Sequence, residues 1–171
     1  EGTKNNTLTL ECGGYGSALS SYQGGITITG GVTVNAKSTY SNSNASVSAR
    51  AINVFNGDLT ISGTGTTVNA ENKDRNHPTI DVKNAVTISD GATLTAKNTN
   101  GGKAISFNSI TADGYDFMGR SGNSDSYTTL TGDDKATKLQ EYSSIQITPT
   151  PTPALEKSNV YVAVTNLYKN T

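Results

Sequence analysis

Residues Asp58 to Ala70, DLTISGTGTTVNA, decide how this chain is read. Leu59 and Ile61 alternate with Thr60 and Ser62, a glycine corner follows, and Thr67-Val68-Asn69-Ala70 resumes the alternation. Apolar and polar residues in strict alternation mark a half-buried strand. The stretch therefore predicts two short strands with a corner between them. The same phrase stands earlier as Ile26 to Ala36, ITITGGVTVNA, and later as Val86 to Ala96, VTISDGATLTA. The copies are unequally spaced, so the strands repeat while the loops vary.

A third strand precedes each phrase: Ala18-Leu19, Ala51 to Val54, Thr79 to Val82 and Ala104 to Phe107. Three short strands per repeat, with tight corners and one variable loop, predict an all-β right-handed parallel β-helix, a solenoid of about four coils with a C-terminal cap. Successive coils lie about 4.8 Å apart. The core is then a set of ladders: Ile28, Ile61 and Ile88; Val34, Val68 and Leu94; Leu19, Ile52, Ile80 and Ile105. Leu8 to Cys12 matches the second half of the phrase and places Cys12 in one inward column with Ala36, Ala70 and Ala96. Thr27, Thr60 and Thr87 face outward, and Lys37, Glu71 and Lys97 form a column of alternating charge, which is favourable between neighbouring strands. A string of hairpins is the rival arrangement. Thr29-Gly30-Gly31-Val32 and Ser89-Asp90-Gly91-Ala92 are good turn sequences, and a three-residue loop pairs Ile28 with Val32 and Val86 with Leu94. Hairpins, however, give no reason for the charge column or the small-residue column.

The phrase stops after Ile110-Thr111-Ala112. Residues 113–126 read as a Gly/Asp/Ser-rich loop holding Tyr115, Phe117 and Met118, followed by strands at Tyr127–Thr131 and Ser144–Thr148. A solenoid needs its last edge covered, which assigns residues 113–148 as a cap on repeats spanning about 8–112. Thr-Pro alternation over 149–153 reads as a semi-rigid linker. In 154–171, Val160, Val162 and Val164 mark a single strand, either the start of a further module or a tail that pairs with the cap.

Bulk properties narrow the classes. Of 171 residues, hydrophobic types make up 33% and charged types 16%, with no tryptophan. Disordered chains are poor in aliphatics and rich in charge; here valine and isoleucine recur regularly, as in a folded β protein with a thin core. The net charge of −1 and the absence of a basic run argue against a nucleic-acid partner. No apolar run approaches the roughly 18 residues of a membrane span. Glu1 begins no signal peptide, as in an excised segment of a larger multi-module chain. One cysteine excludes an internal disulfide framework.

Catalytic chemistry finds little support. A glycosidase requires two carboxylates across a cleft, yet Asp58 and Asp90 sit at corners and Asp81 faces outward beside Ser20, Asn53 and Ser106. His77, the single histidine, precludes a histidine-based zinc cluster and reads as an exposed loop residue. Cys12, on the inward parity, reads as core. Calcium is the one cofactor left open, through Asp113, Asp116 and Asp125 or Asp133 and Asp134, although the D-x-[DN]-x-[DN]-G loop is absent. An ice-binding Thr-x-Thr face fits Thr27/Thr29 and Thr93/Thr95 and is broken at Ser62 and Ser89. The variable loops emerge from one side and carry Tyr15, Tyr40, Asn42, Asn44, Arg75, His77, Asn98 and Asn100. Tyrosine stacks on sugar rings while Asn and Arg bond their hydroxyls, so these eight form the candidate ligand-binding side.

The phrases GGITITGGVTVNA, GDLTISGTGTTVNA and AVTISDGATLTA resemble the coils of secreted bacterial β-helix proteins of the clostridial carbohydrate-binding-domain family, which are pectate-lyase-like in fold but non-catalytic, and of related adhesin-like surface proteins. The likeness spans roughly Leu8 to Ser144. It implies an extracellular or cell-surface module binding a polysaccharide or host-surface glycan, in some members with calcium. The family's Asp-Asp-Gly-Ile run corresponds here to Gly16-Ser17-Ala18-Leu19, Ala49-Arg50-Ala51-Ile52 and Pro78-Thr79-Ile80, without its acidic pair. The expected role is non-catalytic binding. The alternatives are a passive stalk and, third, a lyase-like enzyme.

Overall fold

Each copy of the phrase delivers its strands to the same places in three sheets. The computed structural model describes residues 6–41, 48–122, 124 and 126–152; the strand expected around Val160 to Val164 lies outside them. In chain order come β1 (Thr7–Cys12), β2 (Gly16–Ser21), β3 (Ile26–Ile28), β4 (Thr33–Ser38), β5 (Ala49–Val54), β6 (Leu59–Ser62), β7 (Thr67–Asn72), β8 (Ile80–Val82), β9 (Ala85–Ser89), β10 (Thr93–Asn98), β11 (Ile105–Ser106) and β12 (Ser109–Thr111). Every third strand joins the same sheet. β1, β4, β7 and β10 lie side by side, as do β2, β5, β8 and β11, and β3, β6, β9 and β12, all in parallel pairs.

Register follows the expected ladders. Ile28 lies opposite Ile61 and Ile61 opposite Ile88, which removes the hairpin arrangement, since Ile28 has no antiparallel partner at Val32. Val34, Val68 and Leu94 align, as do Leu19, Ile52, Ile80 and Ile105. Side chains in the middle of each ladder are sealed: Ile52, Ile61, Val68, Ile80 and Leu94 have no exposed surface. Close approach of repeats dictates glycine at one corner, because a Cβ on Gly57 would stand 2.3 Å from the Gly24 backbone.

The first strand is shifted from expectation. Leu8 pairs with Val34, Leu10 with Ala36 and Cys12 with Ser38, so Leu10 and not Cys12 joins the column of Ala36, Ala70 and Ala96. A two-residue slip keeps every side chain on its face, so alternation could not distinguish the two registers. The shift adds Glu11 opposite Lys37 and lengthens the charge column to Glu11, Lys37, Glu71 and Lys97. Lys37 Nζ lies 3.0 Å from Glu71 Oε1, and that hydrogen bond and charge raise the Lys37 pKa.

Beyond β12 the expected loop is partly a strand. β13 (Tyr115–Arg120), β14 (Thr128–Leu130), α1 (Lys135–Leu139) and β15 (Ser144–Pro149) close the chain's described part. In YDFMGR the alternation is carried by Tyr115, Phe117 and Gly119, which are buried; aromatic and glycine residues masked a strand that aliphatics would have announced. Tyr142 lies against Gly119, where a Cβ would fall 2.3 Å from its ring. β15 inserts antiparallel between β10 and β13, with β14 beyond, so the first sheet runs on past the other two. Ile147 covers Leu94 and Ile145 covers Ala96, and all four are fully buried. Among the described residues no helix is long and apolar enough to cross a membrane.

Candidate functional site

Loop length varies most at the corner between the first and second sheets. Its described residues are 13–15, 39–41, 48, 73–79 and 99–104, lying between β1 and β2, β4 and β5, β7 and β8, and β10 and β11. Tyr15, Tyr40, Arg75, His77 and Asn100 therefore share one corner, with Asn98 at its edge in β10. Asn42 and Asn44 lie outside the described residues.

Tyr15 and Tyr40 meet edge to face, with ring centroids 4.9 Å apart and planes at 62°, a favoured aromatic geometry. Tyr15 is 70% exposed, so an open ring stands above a fixed neighbour. Asn100 is exposed but its amide is engaged: Nδ2 donates to Lys73 O at 2.6 Å and to Ser41 Oγ at 3.2 Å. It thereby ties three successive loops together. Arg75 is exposed. A cleft of about 600 Å³ opens beside this corner between Lys97 to Gly101 and the cap residues Arg120, Gly122 and Ser124.

Two of the expected ligand-facing residues are turned inward. Asn98 is 3% exposed. Its Nδ2 donates to Asp74 O at 2.8 Å and His77 O at 3.2 Å, and its Oδ1 accepts from Gly102 N and Asn100 N. His77, expected on an open loop, has a side chain only 15% exposed, with Nδ1 2.9 Å from Asp74 Oδ2. Asp74 is fully buried; its carboxylate also accepts from Ala49 N and Asn76 N. Asn72, aligned with Asn98, donates to Ala49 O at 3.0 Å. Buried polar groups must be paired, or each costs its full desolvation, and here they satisfy the backbone of the variable loops. Sequence reasoning missed Asp74 and Asn72. The available signal was the asparagine two places after the shared alanine in both NAEN and TAKN.

A second aromatic pair was also missed. Tyr22 and Phe55, each one residue beyond a strand of the second sheet, stack with centroids 5.0 Å apart and planes at 6°. They are 70% and 47% exposed. On the outer face of that sheet Arg50 Nε lies 2.8 Å from Asp81 Oδ2, so this carboxylate is held by a guanidinium.

The residues present do not fit the calcium that the family resemblance implies. Where the related coils carry paired aspartates, this chain places Ser17 opposite Arg50, a cation and not a ligand. Asp113, Asp116 and Asp133 border one cleft beside the cap, but no group of three or more His, Cys, Asp or Glu among the described residues could hold a metal ion. Asp125 lies outside the described residues. Comparison with protein-family models, curated proteins and solved structures finds no match to this chain.

Proposed function

We propose that this chain is a non-catalytic, extracellular bacterial surface module that binds polysaccharide or a host-surface glycan through its variable corner, on a scaffold wound as a right-handed parallel β-helix. The kinship with clostridial carbohydrate-binding and adhesin-like proteins belongs to the same proposal, as does a place in a larger chain beyond the Thr-Pro linker. The observation that carries it is the Tyr15–Tyr40 pair, an exposed ring braced by another. A preorganised aromatic loses little freedom on meeting a sugar ring. Support for the scaffold comes from the in-register parallel pairing of every third strand. Support for a non-catalytic role comes from the small exposure of the His77 side chain, 15%, and from the hold of Arg50 on Asp81.

A glycan array with the chain, followed by titration of the strongest polysaccharide, tests the reading. Tyr15→Ala and Tyr40→Ala should each weaken binding by about tenfold, the equivalent of roughly 1.4 kcal/mol. Full-strength binding by both variants would place the ligand elsewhere. A passive stalk is the second reading, favoured by the internal use of Asn98, Asn100 and His77. Silence across the array would select it. Release of unsaturated sugars from pectic substrates would overturn both in favour of a lyase.

A further inference from the structure

The charge column of the first sheet changes character where the coils meet the cap. Within the coils its signs alternate through Glu11, Lys37, Glu71 and Lys97, and Glu71 gives its carboxylate to Lys37 at 3.0 Å. Beyond Lys97 the row continues into the cap: Ser144 in β15 lies opposite Lys97, and Arg120 in β13 lies opposite Ser144. Residues directly opposite one another share a face of the sheet, and neighbouring strands are about 4.8 Å apart. Two cations therefore flank one serine on the outer face, with no carboxylate between them. Among the described residues neither cation makes an ion pair.

Both cations line the cleft of about 600 Å³ beside the variable corner, and none of its described lining residues is acidic. The polar side chains around them are already engaged by the fold. Asn98 Nδ2 donates to Asp74 O, Thr99 Oγ1 to Asn72 O, Asn100 Nδ2 to Lys73 O and Ser124 Oγ to Ser126 O. Arg120 is the reverse case. Its guanidinium carbon stands 4.8 Å from the centre of the Tyr127 ring, which steadies the group, while its Nε is buried and meets no acceptor. A buried donor without a partner is costly, and like charges across a cleft repel until an anion enters between them.

The unengaged donors of this cleft are cationic, which favours an anion over a neutral hydroxyl. A carboxylate accepts two parallel bonds from one guanidinium and gains the lysine charge besides. On the glycan-binding reading of the variable corner, we infer that the cleft between Lys97 and Arg120 binds the carboxylate of an acidic sugar. The ligand class is then a polysaccharide bearing uronate or sialate groups, held by its acid group at the junction of coils and cap.

Isothermal titration with polygalacturonate, alginate, hyaluronan and polysialate, each beside its carboxyl-reduced form, tests this. At least one acidic polymer should bind, and its neutral form should bind about tenfold more weakly. Lys97→Gln, at an exposed position, and Arg120→Gln should each weaken the acidic polymer by about tenfold with circular dichroism unchanged. Arg120→Lys keeps the charge without the fork and should recover only part of that loss. Added salt should weaken binding by the unsubstituted chain. The failures separate. Equal binding of acidic and neutral forms, or full-strength binding by the Lys97→Gln variant, would overturn the inference and leave a glycan-binding corner standing. Preference for dextran sulfate over every carboxylated polymer would overturn the carboxylate assignment. Silence with every polymer, acidic or neutral, would remove the glycan reading and this inference with it.

Discussion

Leu94 and Leu8 occupy one column of the same sheet, at opposite ends of the parallel series. Leu94 lies under Ile147 and has no exposed surface; among the described residues no strand lies beyond Leu8, which is 50% exposed. Both sit in the same TLT setting and both point inward. Alternation therefore fixes which face a side chain takes, while burial is supplied by the strand that comes next. The capped end shows what that strand contributes: two isoleucines over two columns, a helix, and an aromatic lining behind them.

The largest expected effect tests the covered end. Ile147→Ala should cost about 2–5 kcal/mol of unfolding free energy by urea denaturation, the range for a sealed aliphatic truncated to alanine. Next comes Asp74→Ala, between the two ends. It strands the buried Ala49 amide and removes a partner of the Asn76 amide and the His77 ring nitrogen, and should cost about 1–3 kcal/mol. Hydrogen exchange should show the loss concentrated in residues 73–79 and at Ala49. Leu8→Ala should cost about 1 kcal/mol or less, because full burial of a leucine is worth roughly 1.5–3 kcal/mol and only part of it is buried here. Equal costs for Leu8→Ala and Ile147→Ala would erase the contrast between the ends. The smallest effect is on titration. Hydrogen bonding and charge from Glu71 raise the Lys37 pKa, so the pair's contribution is full below the ordinary lysine range and fades as pH climbs through the raised value. Glu71→Gln should lower the Lys37 midpoint in an NMR titration; an unmoved midpoint would detach the two residues.

The ladders could be read from the chain because isoleucine, valine and leucine recur at fixed offsets from glycine corners, and Ile28, Ile61 and Ile88 align as that pattern demands. What could not be read falls into two physical kinds. Cys12 was placed two residues out of register, since a slip of two leaves every face unchanged. His77 and Asn98 read as solvent-facing because they are polar, and Asn72 and Asp74 attract no notice, whereas polar side chains are what a buried turn requires to satisfy its own amides and carbonyls. The same bias hid β13, whose inward positions are Tyr115, Phe117 and Gly119. For the candidate site, the shared corner and the two tyrosines were legible, but which amides were already engaged depended on contacts between residues far apart in sequence, such as Asn100 with Ser41.

Loop length changes most at one corner, while the strands on either side keep their partners. Ten residues separate Ser38 from Ala49 and six separate Asn98 from Ile105, and Lys37 still faces Glu71 just as Glu71 faces Lys97. Added residues there leave the register of the neighbouring strands unchanged. A molecule built this way can exchange what it displays to its surroundings as one trades the teeth of a comb, without touching the spine that spaces them.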